Sequence, residues 1–337
     1  MKICQVLYSQ GGGGLERHTI ELSNKLAQSN EVIFVGAEEY RSRLDKAVQF
    51  EPVNVNCSRR NLLAVWRLYR ILKKHAPEVI HAQANKAVAM VSRLITFIDG
   101  ATVATIHNVK RGRKSFKKFD RIIAVSGDIA AQFTDREVDV VFNGINPPQV
   151  IEKKPELLRS MLPEGYQGPC VLSVGRLVPA KGFDILLRAW RQIDACLFIA
   201  GDGEQYALLE SMIGEYGLAQ RVFLLGHRSD VFDLMASADL LVISSRREGF
   251  PYVMVEALHA GAIIISTRVP GATEILPEAA LLPCEDESRL REGVETALDD
   301  LGTYRVMYEP VWEMARNELT VKMMSQRTEE VYRELLG

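Results

Sequence analysis

Paired cysteines are missing from this chain. Its five, Cys4, Cys57, Cys170, Cys196 and Cys284, are scattered, and no two stand in a C-x-x-C spacing. That pattern excludes a disulfide frame and a zinc ribbon, and it fits a reduced, cytoplasmic setting. A long apolar run is missing too. The most apolar stretch, AVAMVSRLITFIDGATVATI, is broken by Arg93 and Asp99, so no helix is expected to span a membrane. The opening MKICQVLYSQ enters a strand-like run at once, so no signal peptide is expected. The basic residues come with no recognisable nucleic-acid module, and no metal site is expected.

What is present is material for two cores. At 337 residues the chain exceeds the size at which one core usually keeps growing. Its 47% hydrophobic and 25% charged residues are ordinary for a globular protein. The net charge of −2 conceals an asymmetry: residues 1–148 hold 22 Lys and Arg against 14 Asp and Glu, and the remainder holds 19 against 29. A basic first part and an acidic second part suggest different partners.

Along the chain, strand-like and helix-like segments alternate. KICQVLY, EVIFVGA, EVIHAQ, TVATIHN and RIIAVS read as strands; LERHTIELSNKLAQS and NLLAVWRLYRILKKH read as helices. VDVVFNGINPP closes this series with strong turn residues. A polar, proline-bearing stretch follows, and the alternation restarts at CVLSVG and runs to IIIST. The expectation is an α/β protein with two doubly wound, Rossmann-like domains facing across a cleft. Residues 1–148 would form the first and 170–310 the second, joined by a linker over 149–169. A helical tail of about 311–337 would pack back on the first. Ligands in such sheets bind outside the carboxyl ends of the strands.

Four consecutive glycines, Gly11 to Gly14, sit between the first strand and the first helix. A dinucleotide fingerprint would need a glycine where Glu16 stands, and a Walker loop would need Gly-Lys-Ser/Thr; neither is present. What remains is a bare loop at a helix N-terminus, either an anion cradle or a flexible turn. In SVGRLVPAKGFD, Arg176 ends a strand and Lys181 follows five residues later. Two cations near a helix start suit a diphosphate, or else they are solvated. In SSRREGFPYVMVEALHAG, Glu248 precedes Gly249, Phe250 and Pro251, with Pro251 fitting a first helical position. The amides of Tyr252 and Val253 would then point out of the helix end, and Glu256 lies a little over one turn further. These two carboxylates either grip a hydroxyl-rich ligand or serve as a cap and a solvated side chain.

The string E-G-F-P-x-x-x-x-E-A, after SVGRLxxxKG and GDGE, resembles the signature of the retaining GT-B glycosyltransferases of family 4. The glycine run before LERH, the strand end TIHN and VVFNGI resemble it too, so the likeness covers nearly the whole chain. The resemblance implies a nucleotide-sugar donor on the second domain. Arg176 and Lys181 would hold its diphosphate, beside Gly175 and with the amides after Pro251. Glu256 would take the ribose hydroxyls, and Glu248 would contact the hexose near its C3 hydroxyl, with Gly249 and Phe250 offering backbone groups. Gly201, Asp202 and Gly203 would form a strand-end turn nearby, while Gly226 and His227 would contribute around the base. In the first domain Gly13 and Gly14 would approach the diphosphate or the acceptor, His107 would face the transferred sugar, and Ser126 would line the cleft. His107 by itself reads more readily as a buried, satisfied histidine than as a catalytic one; its place after TVATI and the resemblance are what single it out. Two departures stand out. Asn146 occupies a place where many relatives carry Asp, and Pro270 stands where a glycine is frequent, though Glu274 is retained.

The implied activity is transfer of a hexose-type sugar, with a UDP-sugar favoured, to a glycan or lipid-linked acceptor in cell-envelope polysaccharide or lipopolysaccharide synthesis. It would retain anomeric configuration and need no metal or cofactor, because the nucleotide sugar is itself a substrate. Arg60, Arg67, Arg70 and Lys74 share a helical face beside Trp66 and Tyr69, and Lys110 to Lys118 form a basic loop. Either they are solvated or they attach the protein to the inner face of an anionic membrane. The rival on the same scaffold is a noncatalytic nucleotide-sugar-binding or membrane-associated protein. A dinucleotide oxidoreductase is disfavoured by Glu16.

Overall fold

The short apolar runs become two parallel sheets in a computed structural model that describes residues 1–108, 113–162 and 165–337. Two compact units result, Met1–Ile145 with Glu318–Gly337, and Asn146–Asn317.

In the first unit the strands are β1 (Lys2–Leu7), β2 (Glu31–Gly36), β3 (Val48–Pro52), β4 (Val79–Gln83), β5 (Ala101–Ile106), β6 (Arg121–Ala124) and β7 (Asp139–Val140). They lie in the order β3-β2-β1-β4-β5-β6-β7, every pair parallel. The helices are α1 (Gly14–Leu26), α2 (Leu62–His75), α3 (Ala84–Val91) and α4 (Gly127–Ala130). Central strands are covered on both faces, which is why Ile3, Val6, Ile33, Phe34, Ile80 and Val103 belong to mainly apolar runs rather than alternating ones, interrupted by the buried polar residues Gln5, His81, Gln83 and Thr105.

The second unit begins with α5 (Glu156–Arg159) and continues with β8 (Cys170–Val174), α6 (Phe183–Trp190), β9 (Cys196–Ala200), α7 (Tyr206–Glu215) and β10 (Val222–Gly226). Then come α8 (Val231–Ser237), β11 (Leu240–Ile243), α9 (Tyr252–His259), β12 (Ile264–Thr267), α10 (Ala272–Ile275), β13 (Leu281–Leu282), α11 (Glu287–Asp299) and α12 (Leu301–Glu318). The sheet order is β10-β9-β8-β11-β12-β13, again all parallel. Both sheets therefore reverse their winding once, between β1 and β4 and between β8 and β11. Those reversals are where α/β sheets open a crevice for ligands.

The boundaries differ from the sequence expectation. The first unit ends at Ile145, and the supposed linker 149–169 belongs to the second unit. Its helix α5 buries Leu158 completely, and Lys154 N donates to Ser237 Oγ at 2.8 Å. The tail is two helices rather than one. Trp312 on α12 donates to Ala262 O at 2.9 Å and Tyr308 to Ile264 O, so the residues up to Asn317 stay with the second unit. The break falls at Leu319–Thr320, where the chain makes a parallel bridge to Ile145. Thr320 accepts from Met323 N at 3.2 Å, capping α13 (Val321–Leu336). Helix α13 packs back on the first unit: Glu329 meets Asn30 and Glu334 meets Arg121.

Candidate functional site

In the second unit, the loops that leave β8 and β11 are pinned to each other. Gly182 adopts φ +68°, and a Cβ there would sit 2.1 Å from Ser244 O. Ser244 Oγ donates to Lys181 O at 3.0 Å, and Arg246 N donates to Ala180 O at 2.8 Å. The pinning brings Lys181 Nζ to 2.5 Å from Glu248 Oε1, which also accepts from Ser245 Oγ at 2.8 Å. These side chains are only 20% and 15% exposed. The two residues that sequence reasoning gave to separate parts of a ligand are thus partners across the switch point.

Sequence reasoning missed Arg246. Its guanidinium makes a bidentate pair with Asp184 at 2.7 and 2.8 Å and also bonds Pro179 O at 2.7 Å and Glu285 at 2.9 Å. Burial raises the Asp184 carboxyl, but hydrogen bonds and charge from Arg246, with help from Arg188, outweigh it and hold the pKa below its ordinary value. This clamp fixes the loop that carries Lys181. Its one signal in the sequence is the arginine directly after VISS, which reads as part of a polar loop.

The strand-end turn at Gly201–Gly203 packs on the β8 loop. Gly201 adopts φ +147° and Gly203 φ +157°; a Cβ on them would meet Gly175 O at 1.9 Å and Leu177 O at 2.5 Å. Their glycine identity is required by backbone against backbone. Asp202 and Arg176 are exposed beside this turn. Gly226, at φ +64°, ends β10 in open space, next to exposed His227.

Pro251 is not the first helical residue. At ψ 121° it stands in the N-cap position, and α9 begins at Tyr252. The first intrahelical bonds run from Met254 N and Val255 N to Pro251 O, which puts the amides of Tyr252 and Val253 in the first turn of the helix. Gly249 and Phe250 are buried, and Glu256 is half-buried one turn along. The departure at Pro270 has a structural answer. Gly271 supplies the positive φ of that turn, +82°, and lies so close to Phe250 that a Cβ would meet its ring at 2.6 Å. Glu274 is exposed.

In the first unit, the glycine run follows β1 at the other switch point. Gly11 has φ +117°, and Cβ positions at Gly11 and Gly12 point into open space. Gly13 is the N-cap of α1, which starts at Gly14. One amide is already taken, since Gly11 N donates to Glu39 Oε1 at 2.8 Å. Glu16, the residue that spoils a dinucleotide fingerprint, is buried and accepts from Ser9 Oγ, bracing the loop. Ser126 is a correction: it is fully buried, and its hydroxyl caps α4 by accepting from Ile129 N, so it lines nothing.

His107, just beyond β5, meets Gln83 Oε1 at 2.8 Å through Nε2. The ring of His18, bonded to Asn143 at 3.0 Å, stands edge-on to it at 4.6 Å. Burial, followed by the neighbouring imidazoles His18 and His81, pushes His107 well below the usual histidine range. Burial lowers His18 to about 4 and His81 to about 3. All three rings are therefore neutral at physiological pH. Gln83 is held by a strained turn, with Ala84 at φ +63°.

On α2, Lys74 is paired with Glu51 at 2.6 Å and Lys73 with Asp99 at 2.8 Å, while Arg70 lies over the Trp66 ring. Of the expected basic loop, Lys110, Arg111 and Gly112 lie outside the described residues, and Lys117 pairs with Asp135. No group of three or more His, Cys, Asp or Glu among the described residues is arranged to hold a metal ion. No helix among them is long and apolar enough to cross a membrane.

Two all-parallel Rossmann-like units, each with its ligand-type loops at a winding reversal, define the GT-B fold. The family model described as Glycosyltransferase Family 4 matches residues 12–149, and that of Glycosyl transferases group 1 matches residues 158–310. The chain belongs to this glycosyltransferase family. It is 24% identical over 313 residues to the lipopolysaccharide core biosynthesis glycosyltransferase LpsD of Rhizobium meliloti, covering 89% of each. It is 23% identical over 365 aligned positions to the phosphatidylinositol N-acetylglucosaminyltransferase gpi3 subunit of Schizosaccharomyces pombe, covering 95% of this chain and 77% of that one. Among solved structures it resembles Anabaena Alr3699/HepE in complex with UDP-glucose, with a TM-score of 0.85, 22% identity and coverage of 99% and 100%. A Rickettsia africae glycosyltransferase superposes with a TM-score of 0.86 at 19% identity, covering 99% and 98%.

Proposed function

We propose that this glycosyltransferase moves a hexose-type sugar from a UDP-sugar to a glycan or lipid-linked acceptor of the cell envelope, with retention of anomeric configuration. The observation that carries the reading is the Lys181–Glu248 pair at the β8/β11 reversal, beside exposed Arg176 and the first turn of α9. A donor diphosphate arriving there would draw Lys181 toward itself, joined by Arg176 and the amides of Tyr252 and Val253. Glu248, released from part of that pairing, would accept from a sugar hydroxyl. Glu256, one turn along α9, would take the ribose. In this reading two side-chain cations neutralise the leaving diphosphate, the largest catalytic contribution in such a transfer. The acceptor hydroxyl attacks on the face the diphosphate leaves, and the departing phosphate oxygen takes its proton. The solved relative bound to UDP-glucose and the lipopolysaccharide relatives support donor and acceptor class.

The test is a thermal-shift screen against UDP, GDP, ADP, CMP and their common sugars, because a ligand bound only by the native state raises apparent stability. A shift with UDP and UDP-sugars that disappears in Glu256→Ala supports the reading; no shift with any nucleotide favours the noncatalytic rival. NMR analysis of the product anomer checks retention.

A second reading concerns where the enzyme works. Leu62, Leu63 and Trp66 on α2 are 78%, 70% and 53% exposed, next to Arg60, Arg67 and Arg70. We infer that this mixed apolar and cationic face rests on an anionic membrane surface, where a lipid-linked acceptor would be met. Flotation with anionic liposomes tests it, and no binding at low salt refutes it.

A further inference from the structure

A cavity opens at the other end of the second sheet, lined entirely from within the unit Asn146–Asn317. Its volume is about 410 Å³, within the range of small-molecule sites and larger than a bare phosphate needs. Asp239, which immediately precedes β11, lines it, as do the residues between α9 and β12. The cavity therefore lies at the amino ends of these strands, whereas Ser244, Arg246 and Glu248 follow the carboxyl end of β11. Asp239 and Ser244 are five residues apart in sequence, about 16 Å along an extended strand. Parallel sheets ordinarily bind ligands at the carboxyl ends, so the usual site of the fold does not account for this cavity.

Its lining is basic. Lys153 comes from the segment before α5, and Arg305 and Arg316 come from α12. Positions 305, 312 and 316 are seven and four residues apart, so the two arginines share one face of α12 with Trp312. Trp312 is fixed by donating to Ala262 O at 2.9 Å, and the Arg305 guanidinium stands 5.9 Å from the centre of its ring. Among the described residues none of the three cations is held in an ion pair. Their neighbour Lys154, by contrast, is held by Glu152 and Asp233. The cluster also runs against its surroundings, because residues 149–337 hold 19 Lys and Arg against 29 Asp and Glu. Cations gathered around one cavity without paired carboxylates raise its potential and favour an anion.

The rest of the lining narrows the class. Asp239, whose Oδ2 accepts from Cys170 N at 2.8 Å, borders the cavity. So does the C-terminal end of α9, the negative pole of that helix. These groups accept hydrogen bonds and disfavour a second anionic group, so hydroxyls suit them. We propose that this cavity is a second ligand site, taking a soluble phosphate ester whose organic body carries hydroxyls. Lys153, Arg305 and Arg316 hold the phosphate through charge-assisted hydrogen bonds, the two guanidiniums as planar forks. Asp239 and the carbonyl end of α9 take hydroxyls of the body. The site stands independently of the donor reading, since it shares no lining residue with the loops of Lys181 and Glu248.

The test is isothermal titration of the full-length protein with ribose 5-phosphate, with and without UDP. The ester should bind in both conditions, about tenfold tighter than inorganic phosphate, and ribose alone should give no heat. Loss of that binding on adding UDP would move the phosphate to the donor loops and overturn the site, an outcome that needs no variant to fold. Binding no tighter than that of inorganic phosphate would also overturn it. Arg305→Gln and Arg316→Gln should each raise the Kd of the ester about tenfold. Both side chains are exposed, so the ligand-free variants should melt as the unmodified protein does. Arg289 is exposed on α11, and Arg289→Gln should bind the ester normally. An equal loss in Arg289→Gln would reduce the effect to diffuse charge and overturn the proposal. Uptake on phosphatidylglycerol vesicles that Arg305→Gln and Arg316→Gln abolish, with no heat from the soluble ester, would assign the cavity to a lipid headgroup and overturn the soluble class.

Discussion

At the winding reversal of the first unit the side chains that meet are imidazoles and amides: His107, His18, His81, Gln83 and Gln5. At the corresponding reversal of the second they are charged: Lys181 with Glu248, and Arg246 with Asp184. The strand order around the two points is the same, so topology does not choose the chemistry. Depth does much of the choosing. The histidines lie where ionisation is suppressed, so they can only exchange hydrogen bonds, as suits neutral hydroxyls. The ion pairs sit at half-buried positions around the strand-end loops, where a cation can be re-aimed at an arriving anion.

The comparison breaks most sharply at Lys181. Lys181→Ala removes a cation from the proposed diphosphate site and leaves Glu248 without it. We expect kcat to fall at least a hundredfold, equivalent to about 3 kcal/mol of transition-state stabilisation. The fold should persist, because the Arg246–Asp184 clamp still holds the loop. Steady-state transfer assays beside a thermal melt check both halves, and near-normal turnover would end the diphosphate assignment.

Acid should separate the two units next. An unfolded His18 takes up a proton near pH 6.5, whereas the folded ring takes it only near 4. The unfolded chain therefore binds more protons across that window, and the first unit loses stability as pH falls from about 6.5 to 4, on the order of 3 kcal/mol from His18 alone. Asp184 also loses its contribution in acid, but later. Its folded pKa lies below the ordinary carboxylate value, so its contribution is intact above that value and is lost only as pH falls through the lowered one. Hydrogen–deuterium exchange, corrected for intrinsic rate, should show peptides of Met1–Ile145 opening at about pH 5 while those of Asn146–Asn317 stay protected. Equal opening in both would show that the buried imidazoles do not govern acid sensitivity.

The glycines sharpen the contrast further. Gly201→Ala forces a Cβ against Gly175 O from a positive-φ backbone and should cost at least about 1–3 kcal/mol of stability. Gly12→Ala meets no protein atom within 4 Å and should leave the melting temperature nearly unchanged. If the run is an approach surface for donor or acceptor, Gly12→Ala lowers transfer all the same. A variant that folds normally and transfers normally would return the run to a flexible turn.

Much of this was legible in the sequence. The strands of both sheets stand out as apolar runs between Gly- and Asn-bearing turns, and the spacing of Lys181, Glu248 and Glu256 marks the second switch point. Other features depend on pairing across distance. Lys181 and Glu248 are 67 residues apart, and nothing local says that they touch. Gln5, His81 and Gln83 look like interruptions in strands until Tyr332 arrives from the other end of the chain. Strands β3 and β13 escaped because they are short edge strands with little apolar signature. The break between α12 and α13 was marked by Thr320, an ordinary N-cap residue inside an otherwise continuous helical pattern.

The smallest effect on stability belongs to α2, and it extends the comparison to the surface. Val65, Leu68 and Leu72 bury one side of this helix, whereas Leu62, Leu63 and Trp66 project from the other among cations. Some of those cations are committed, Lys73 to Asp99 and Lys74 to Glu51, which leaves Arg60, Arg67 and Arg70 as the expected contacts to anionic headgroups. Replacing Leu62 and Leu63 by Ser touches no core packing, so stability should change by no more than about 0.5 kcal/mol. Transfer to a soluble acceptor should be unaffected. Binding to vesicles containing anionic lipid should weaken, and adding salt should weaken what remains, because apolar insertion and charge attraction contribute separately. Unchanged flotation would place the membrane contact elsewhere or nowhere; a loss in the apolar double variant that salt cannot mimic would identify insertion of this helix face as the stronger of the two contributions.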